Sequence, residues 1–310
     1  MLKQRIVDTL KFFDLQDLPL TLLELAEFLM ADTEELKQQL DSRFEYIENS
    51  AHPAHNQIFL GEITRCLEGE CMGEVGEFKG FYFLAGREHL VQIRLNNYLF
   101  GRFREKRILR LIGGARHLPF VRGIALLGSQ ALGQQKENSD IDLFIITEPH
   151  FLGLGRLMVT AYMQLLGVRR HGTKISNRFC LNHYLAGPRS LNRDRNLYTA
   201  AEYIKLRPLV YSNTFVKFRK HNNWVYSFFP NAKHFEPKEA EEQQSAIQKL
   251  LEKLLTNSFG QWLEQKLKAA QLGRIQKGEF IVAEALEMSF HPNNRKAKLF
   301  SAFFEHQKEH

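Results

Sequence analysis

The sequence predicts an α/β core over residues 87–220, preceded by a module of short helices and a strand pair (1–86) and followed by a helical module (221–310). Three observations predict it. VRGIALL (121–127), DIDLFIIT (140–147) and RFCLNHYLA (178–186) are apolar runs of strand length bounded by glycine, proline or polar residues. Between the last two lies FLGLGRLMVTAYMQLLGV (151–168), long enough to cross as a helix from one strand to the next. The charge is also uneven, with 23 Lys/Arg against 8 Asp/Glu in residues 87–220 but 7 against 16 in residues 1–86. A concentrated positive field of this kind attracts polyanions such as nucleotides or nucleic acid.

In the first module, IVDTLKFFDL, LTLLELAEFL opening at Thr21 and EELKQQL opening at Thr33 read as helices. IFLGEITRCL and FKGFYFLAG then read as a strand pair. Helices followed by a strand pair make a winged-helix-like order. The helix that would enter a DNA groove starts with Glu34 and Glu35 and offers only Lys37, which neutralises phosphate poorly. A protein-contact or structural role is therefore expected for this module, and not DNA binding.

Residues 88–112 read as one arginine-rich helix that ends at Gly113-Gly114. Beyond the core strands, 194–205 and 211–229 read as helical and 238–272 as one long amphipathic pattern. The apolar stretch 151–168 carries Arg156 and two early glycines, which favours a buried helix over a membrane span. Three scattered cysteines and a charged N-terminal stretch point to a cytoplasmic protein without a disulfide framework. Gly153-x-Gly155 lacks the third glycine of a dinucleotide fingerprint and reads as a helix start. His52, His55, Cys66 and Cys71 have spacings that zinc tolerates, but no finger-like order surrounds them.

The chemistry concentrates in GSQALGQQKENSDIDLFII (128–146). Residues two apart in a strand share a face, so Asp140 and Asp142 project together. Like charges that close repel unless a cation lies between them, and paired hard oxygens suit Mg²⁺ or Mn²⁺. A glycine-serine turn at a strand end presents backbone N–H groups and a small hydroxyl to phosphate oxygens.

Gly128-Ser129, Ala131-Leu132-Gly133 and Ser139-Asp140-Ile141-Asp142-Leu143 resemble the signature of the DNA polymerase β-type nucleotidyltransferase superfamily, and the resemblance covers roughly residues 88–220. It implies a nucleotidyltransferase-type mixed β-sheet with helices. It also implies that Gly128 and Ser129 hold the β and γ phosphates of a nucleoside triphosphate, and that Asp140 and Asp142 hold divalent metal. A hydroxyl then attacks the α-phosphate and pyrophosphate leaves. Members of the superfamily carry a third carboxylate on the next core strand, where Asn182 aligns best in this chain. Asparagine ligates through its carbonyl but brings neither charge nor a basic site. Asp194 and Glu202 are downstream candidates to replace that carboxylate, and an alternative is a catalytically degenerate fold acting as a nucleotide-binding regulatory or partner protein. Of the basic cluster GVRRHGTKISNR (167–178), Lys174 and Arg178 are the expected triphosphate contacts, and the acceptor stays open between RNA, a protein hydroxyl and a small molecule. His183, next to Asn182, is expected to pack in the core.

Overall fold

The computed structural model describes residues 1–39, 58–189, 195–236, 238–275, 282–283, 287–289 and 303. The chain opens with α1 (Leu2–Asp14), β1 (Leu20–Thr21), α2 (Leu22–Glu27), α3 (Thr33–Gln39) and α4 (Leu60–Glu68). A hairpin follows, β2 (Val75–Phe78) and β3 (Phe81–Leu84), and β1 joins it in the order β1-β3-β2. Thr21 caps α2 as the sequence suggests, in a reciprocal box with Glu24. The Thr33 hydroxyl instead donates to Asp8 at 2.6 Å, tying α3 to α1.

IFLGEITRCL is helical, not a strand. Glu62 accepts the Phe59 N–H at 2.9 Å, closing the first turn, and Ile63 and Cys66 fall three apart on a buried face. The hairpin partner of FYFL is the polar segment VGEF, whose weak apolar pattern hid it.

Helix α5 (His89–Gly113) leads into β4 (Val121–Leu126), β5 (Ile141–Thr147), α6 (Leu152–Leu165) and β6 (Phe179–Ala186). Next come α7 (Leu197–Lys205), β7 (Arg207–Val210), α8 (Ser212–His221) and α9 (Val225–Phe228). The C-terminal part holds α10 (Ala246–Leu255), α11 (Ser258–Ile275), β8 (Val282–Ala283) and β9 (Glu287–Ser289). The larger sheet has the order β7-β4-β5-β6-β9-β8. Among the described strands of this sheet β5 and β6 pair in parallel, joined by α6 as a crossover, and the other strand pairings are antiparallel, so the sheet is mixed. Strand β7 begins Arg-Pro and lies at the sheet edge, where a residue without an N–H is tolerated.

The strand alternation sorts the core into two faces. Ile141, Leu143 and Ile145 pack with Val159 and Met163 of α6 and with Ile108 and Ile112 of α5. Phe144 and Ile146 face the other way, into a cluster shared with α7 to α9, with Phe12 and Phe13 of α1 and with Phe28 and Leu29 just after α2. One buried cluster thus draws residues from 1–86, from 87–220 and from 221–310 alike. Buried Arg94 of α5 adds a polar tie, donating to Glu24 and to the Pro19 carbonyl.

The long 238–272 pattern is broken in two. The Asn257 side chain accepts the Gly260 N–H at 2.9 Å and starts α11 afresh, while Thr256 ends α10 by donating to Glu252. Both helices reach back to the core. Glu252 accepts from the Phe120 N–H and from Arg122, each at 2.7 Å, and Gln248 donates to the Val121 carbonyl at 2.8 Å. Glu264 accepts the Gly153 and Leu154 N–H groups at 2.8 and 2.7 Å, capping α6. The two glycines at the start of α6 are thereby explained by packing. A Cβ on Gly153 would meet the Glu264 carboxylate at 3.1 Å, and one on Gly155 would meet Thr147 at 2.8 Å.

Where the N-terminal helices meet α7, burial raises the Glu27 carboxyl from 4.5 to about 7, with Glu24 adding to the rise and Arg219 opposing it. A carboxyl raised on folding binds protons more tightly in the native state. Its stabilising contribution is complete below about 4.5 and lost as pH rises through about 7. Glu27→Gln should therefore raise the urea midpoint over wild type more at pH 8 than at pH 5. Equal shifts at the two pH values would refute this account.

Candidate active site

The site forms where β4 and β5 run side by side. Strand β4 ends at Leu126, the Leu127 N–H donates to the Asp142 carbonyl at 3.1 Å, and the chain turns through a 3-10 segment, Gly128–Leu132. Gly128 starts that turn at φ +67 and Gly133 ends it at φ +67, a left-handed conformation that favours glycine at both positions. A Cβ on Gly128 would find the Asp142 carboxylate 3.7 Å away, so the turn and this carboxylate are direct neighbours. Ser129 is exposed at the turn, and its carbonyl accepts the Gln134 N–H at 2.8 Å.

Asp140 stands immediately before β5, and the loop that delivers it is held from several sides. Arg104 of α5 donates to the Lys136 and Glu137 carbonyls, Asn177 N–H donates to Ser139 at 3.1 Å, and Ile141 N–H donates to Arg178 at 2.9 Å. Asp142 lies in β5 opposite Cys180 of β6 in parallel register. Donor atoms of Asp140, Asp142 and Cys180 all lie within 4.8 Å of one another. That comes within a few tenths of an ångström of what one ion with bonds of roughly 2.0–2.3 Å can span.

Arg170 completes the cluster. Its guanidinium donates to Asp140 Oδ2 at 2.5 Å and contacts Cys180 Sγ at 3.6 Å, so a cation already bridges two of the three donors. The Cys180 thiol is pushed up to about 12, first by burial and then by the charges of Asp142 and Asp140, against the opposing pull of Arg170. Two carboxylates and a thiol converging on one point, with a guanidinium attached, are a donor set that fits a divalent cation.

The structure thus brings Gly128, Ser129, Asp140 and Asp142 together. Lys174 sits on an exposed turn, where its N–H donates to the His171 carbonyl at 3.0 Å. Arg178 is half-buried and joins the site through its backbone carbonyl, which steadies Ile141. Asn182 falls within β6 at a register irregularity between the Cys180 and His183 pairings, and its side chain lies outside the described residues. Asp194 also lies outside them, while Glu202 sits on α7 beside Lys205. His183 is buried, with its ring 4.3 Å from that of Phe144.

Sequence reasoning missed Cys180 and Arg170. Arg170 was within reach, since it belongs to the same basic cluster as Lys174 and Arg178. Cys180 required the register of β5 on β6, which the strand sequences do not carry. Of the four residues weighed for zinc, His52 and His55 lie outside the described residues, and Cys66 and Cys71 are buried thiols with sulfurs 3.6 Å apart.

A second concavity adjoins the turn. Tyr98, Arg102 and Glu105 of α5, Arg207 of β7, and Gln130 and Gly133 line it; Glu105 pairs with both arginines, and the buried side-chain amide oxygen of Gln130 has no partner among the described residues.

Residues 109–186 match the family model described as the nucleotidyltransferase domain. The match is consistent with the DNA polymerase β-type superfamily. It runs from the last turns of α5 to the end of β6, and so contains the Gly-Ser turn, both aspartates, Arg170 and Cys180. Comparison with curated proteins and with solved structures gave no match. Among the described residues no helix is long and apolar enough to cross a membrane.

Proposed function

We propose that the chain is a divalent-metal-dependent nucleotidyltransferase that moves a nucleoside monophosphate from a nucleoside triphosphate to a hydroxyl acceptor. The observation that carries this reading is the convergence of Asp140 and Asp142 beside the Gly128 turn, within the segment that matches the nucleotidyltransferase domain. In the reaction an acceptor oxygen forms a bond to the α-phosphorus while the bond to pyrophosphate breaks, and the hydroxyl proton leaves to solvent or a nearby base. A divalent cation, Mg²⁺ or Mn²⁺, supplies charge stabilisation at the phosphate oxygens when bound. The residues assigned to hold it are Asp140 and Asp142.

Around them the chain supplies position and charge. Gly128 and Ser129 present the turn to the β and γ phosphates, with the Ser129 hydroxyl as donor. Arg170, released from Asp140, supplies a cation that takes up phosphate charge. Lys174 and Arg178 are further basic groups for the triphosphate, and Asn182 keeps the position from which a third ligand is expected. The concavity lined by Tyr98, Arg102, Glu105 and Arg207 offers an aromatic face beside the turn, with two guanidiniums paired to one carboxylate, and is suited to a base.

The three-part organisation, 1–86, 87–220 and 221–310, belongs to the same reading. The order helix, strand, helices and hairpin in β1-β3-β2 pairing supports a winged-helix-like first module. Its α3 begins with Glu34 and Glu35, which favours contact with a protein over DNA.

The test is a panel of nucleoside triphosphates with Mg²⁺ or Mn²⁺, following pyrophosphate release with and without cell extract as a source of acceptor. Acceptor-dependent release that favours one nucleotide is the expected result. A second reading is a nucleotide-binding regulatory protein on a degenerate fold, favoured by the Arg170 ion pair on Asp140 and by an asparagine, Asn182, at the position where the resemblance implies a third carboxylate. Saturable nucleotide binding without pyrophosphate release under any of these conditions would select that reading.

A further inference from the structure

We infer that Cys180 is the third donor of the Asp140–Asp142 site and biases it toward divalent ions that accept sulfur, such as Co²⁺ and Zn²⁺, over Mg²⁺. The inference rests on the reading of Asp140 and Asp142 as metal ligands and extends it to the identity of the ion.

Three observations converge. Parallel pairing sets Cys180 directly opposite Asp142, on the face from which Asp142 projects. Its sulfur lies with both carboxylates inside 4.8 Å. The guanidinium of Arg170 touches this sulfur and Asp140 together, so a positive charge placed between these donors meets the thiol as well as the carboxylate.

The chemistry of the donors sets the preference. All-oxygen sites suit hard Mg²⁺, which keeps most of its water and gains little from sulfur. A thiolate in the set shifts the advantage to Zn²⁺ and Co²⁺. On coordination the thiol loses its proton to solvent and the sulfur lone pair forms the metal bond, with no change in oxidation state. Cys180 is 7% exposed, so its sulfur is shielded from bulk oxidants yet meets the carboxylates at the base of the site. Cys66 and Cys71 form a separate thiol pair, and the experiment has to tell them apart from Cys180.

The test is titration of the full-length chain with Co²⁺ in the absence of nucleotide, reading the near-ultraviolet sulfur-to-cobalt charge-transfer band. The band is expected in wild type and in Cys66→Ser/Cys71→Ser, and absent in Cys180→Ser and in Asp140→Asn/Asp142→Asn. Loss in the second of these variants reports the site without touching the buried thiol, which guards against a Cys180→Ser chain that fails to fold. Cys180→Asp restores an all-oxygen set and should let Mg²⁺ displace Co²⁺ at least tenfold more readily than in wild type. A band that survives in Cys180→Ser or in the aspartate variant overturns the inference, as does unchanged Mg²⁺ competition in Cys180→Asp. Because pyrophosphate is not read, a Cys180-dependent band in a chain that transfers no nucleotide supports this inference while removing the catalytic reading. Transfer without such a band does the reverse.

Discussion

Asp142→Asn is expected to lower kcat/KM for nucleotidyl transfer by about a thousandfold or more, about 4 kcal/mol of transition-state stabilisation. Measured by pyrophosphate release, the loss should come with a melting temperature within a few degrees of wild type. The asymmetry follows from the site. Asp140, Asp142 and Cys180 crowd one point, and the neutral amide removes a charge that opposes Asp140, while the Arg170 pair with Asp140 is left in place. The backbone role of residue 142, accepting the Leu127 N–H, is kept. Stability is therefore spared where activity is not. Transfer within tenfold of wild type would remove Asp142 from the site, and a large drop in melting temperature would mark it as structural.

Glu264→Ala should destabilise the fold by roughly 2–4 kcal/mol, read from urea unfolding. Glu264 is only 6% exposed and spends both carboxylate oxygens on the first N–H groups of α6. Its negative charge also faces the positive end of that helix. Truncation to alanine strips two buried donors of their acceptors and opens a void against Gly153, whose missing side chain is what lets the carboxylate in so close. Glu264→Gln should recover only part of the loss, since its amide nitrogen cannot accept the second bond. A change below about 0.5 kcal/mol for Glu264→Ala would show that solvent caps α6 equally well.

The parts of the fold that were legible in the sequence are those with local causes. Strand β4, the glycine-serine turn, β5, α6 and β6 follow from apolar runs delimited by Gly128, Gly133 and Pro149, and the carboxylate pair follows from strand alternation. What was not legible depends on partners. The segment 58–67 resembles a strand until Glu62 is seen to close a helical turn on Phe59, and β7 is short, carries Pro208 and acquires its state only by pairing with β4. The donor opposite Asp142 depends on a register that shifts between Asp142 and Phe144, so counting along β6 leads to Asn182, whereas pairing leads to Cys180. Glu264 looks like any other charged residue of an amphipathic helix until the tertiary fold buries it against α6.

The bonds from Glu264 to the start of α6 span 110 and 111 residues. Closing so long a loop costs chain entropy before the contact forms, and a protein is synthesised from its N-terminus. While the ribosome is still making α7 to α10, the nascent domain already holds both aspartates and the glycine-serine turn, but its crossover helix has no cap. A chain that stops short of residue 264 therefore lacks the carboxylate that accepts the first N–H groups of α6, and such truncated chains are expected to be cut faster by protease than the full-length protein.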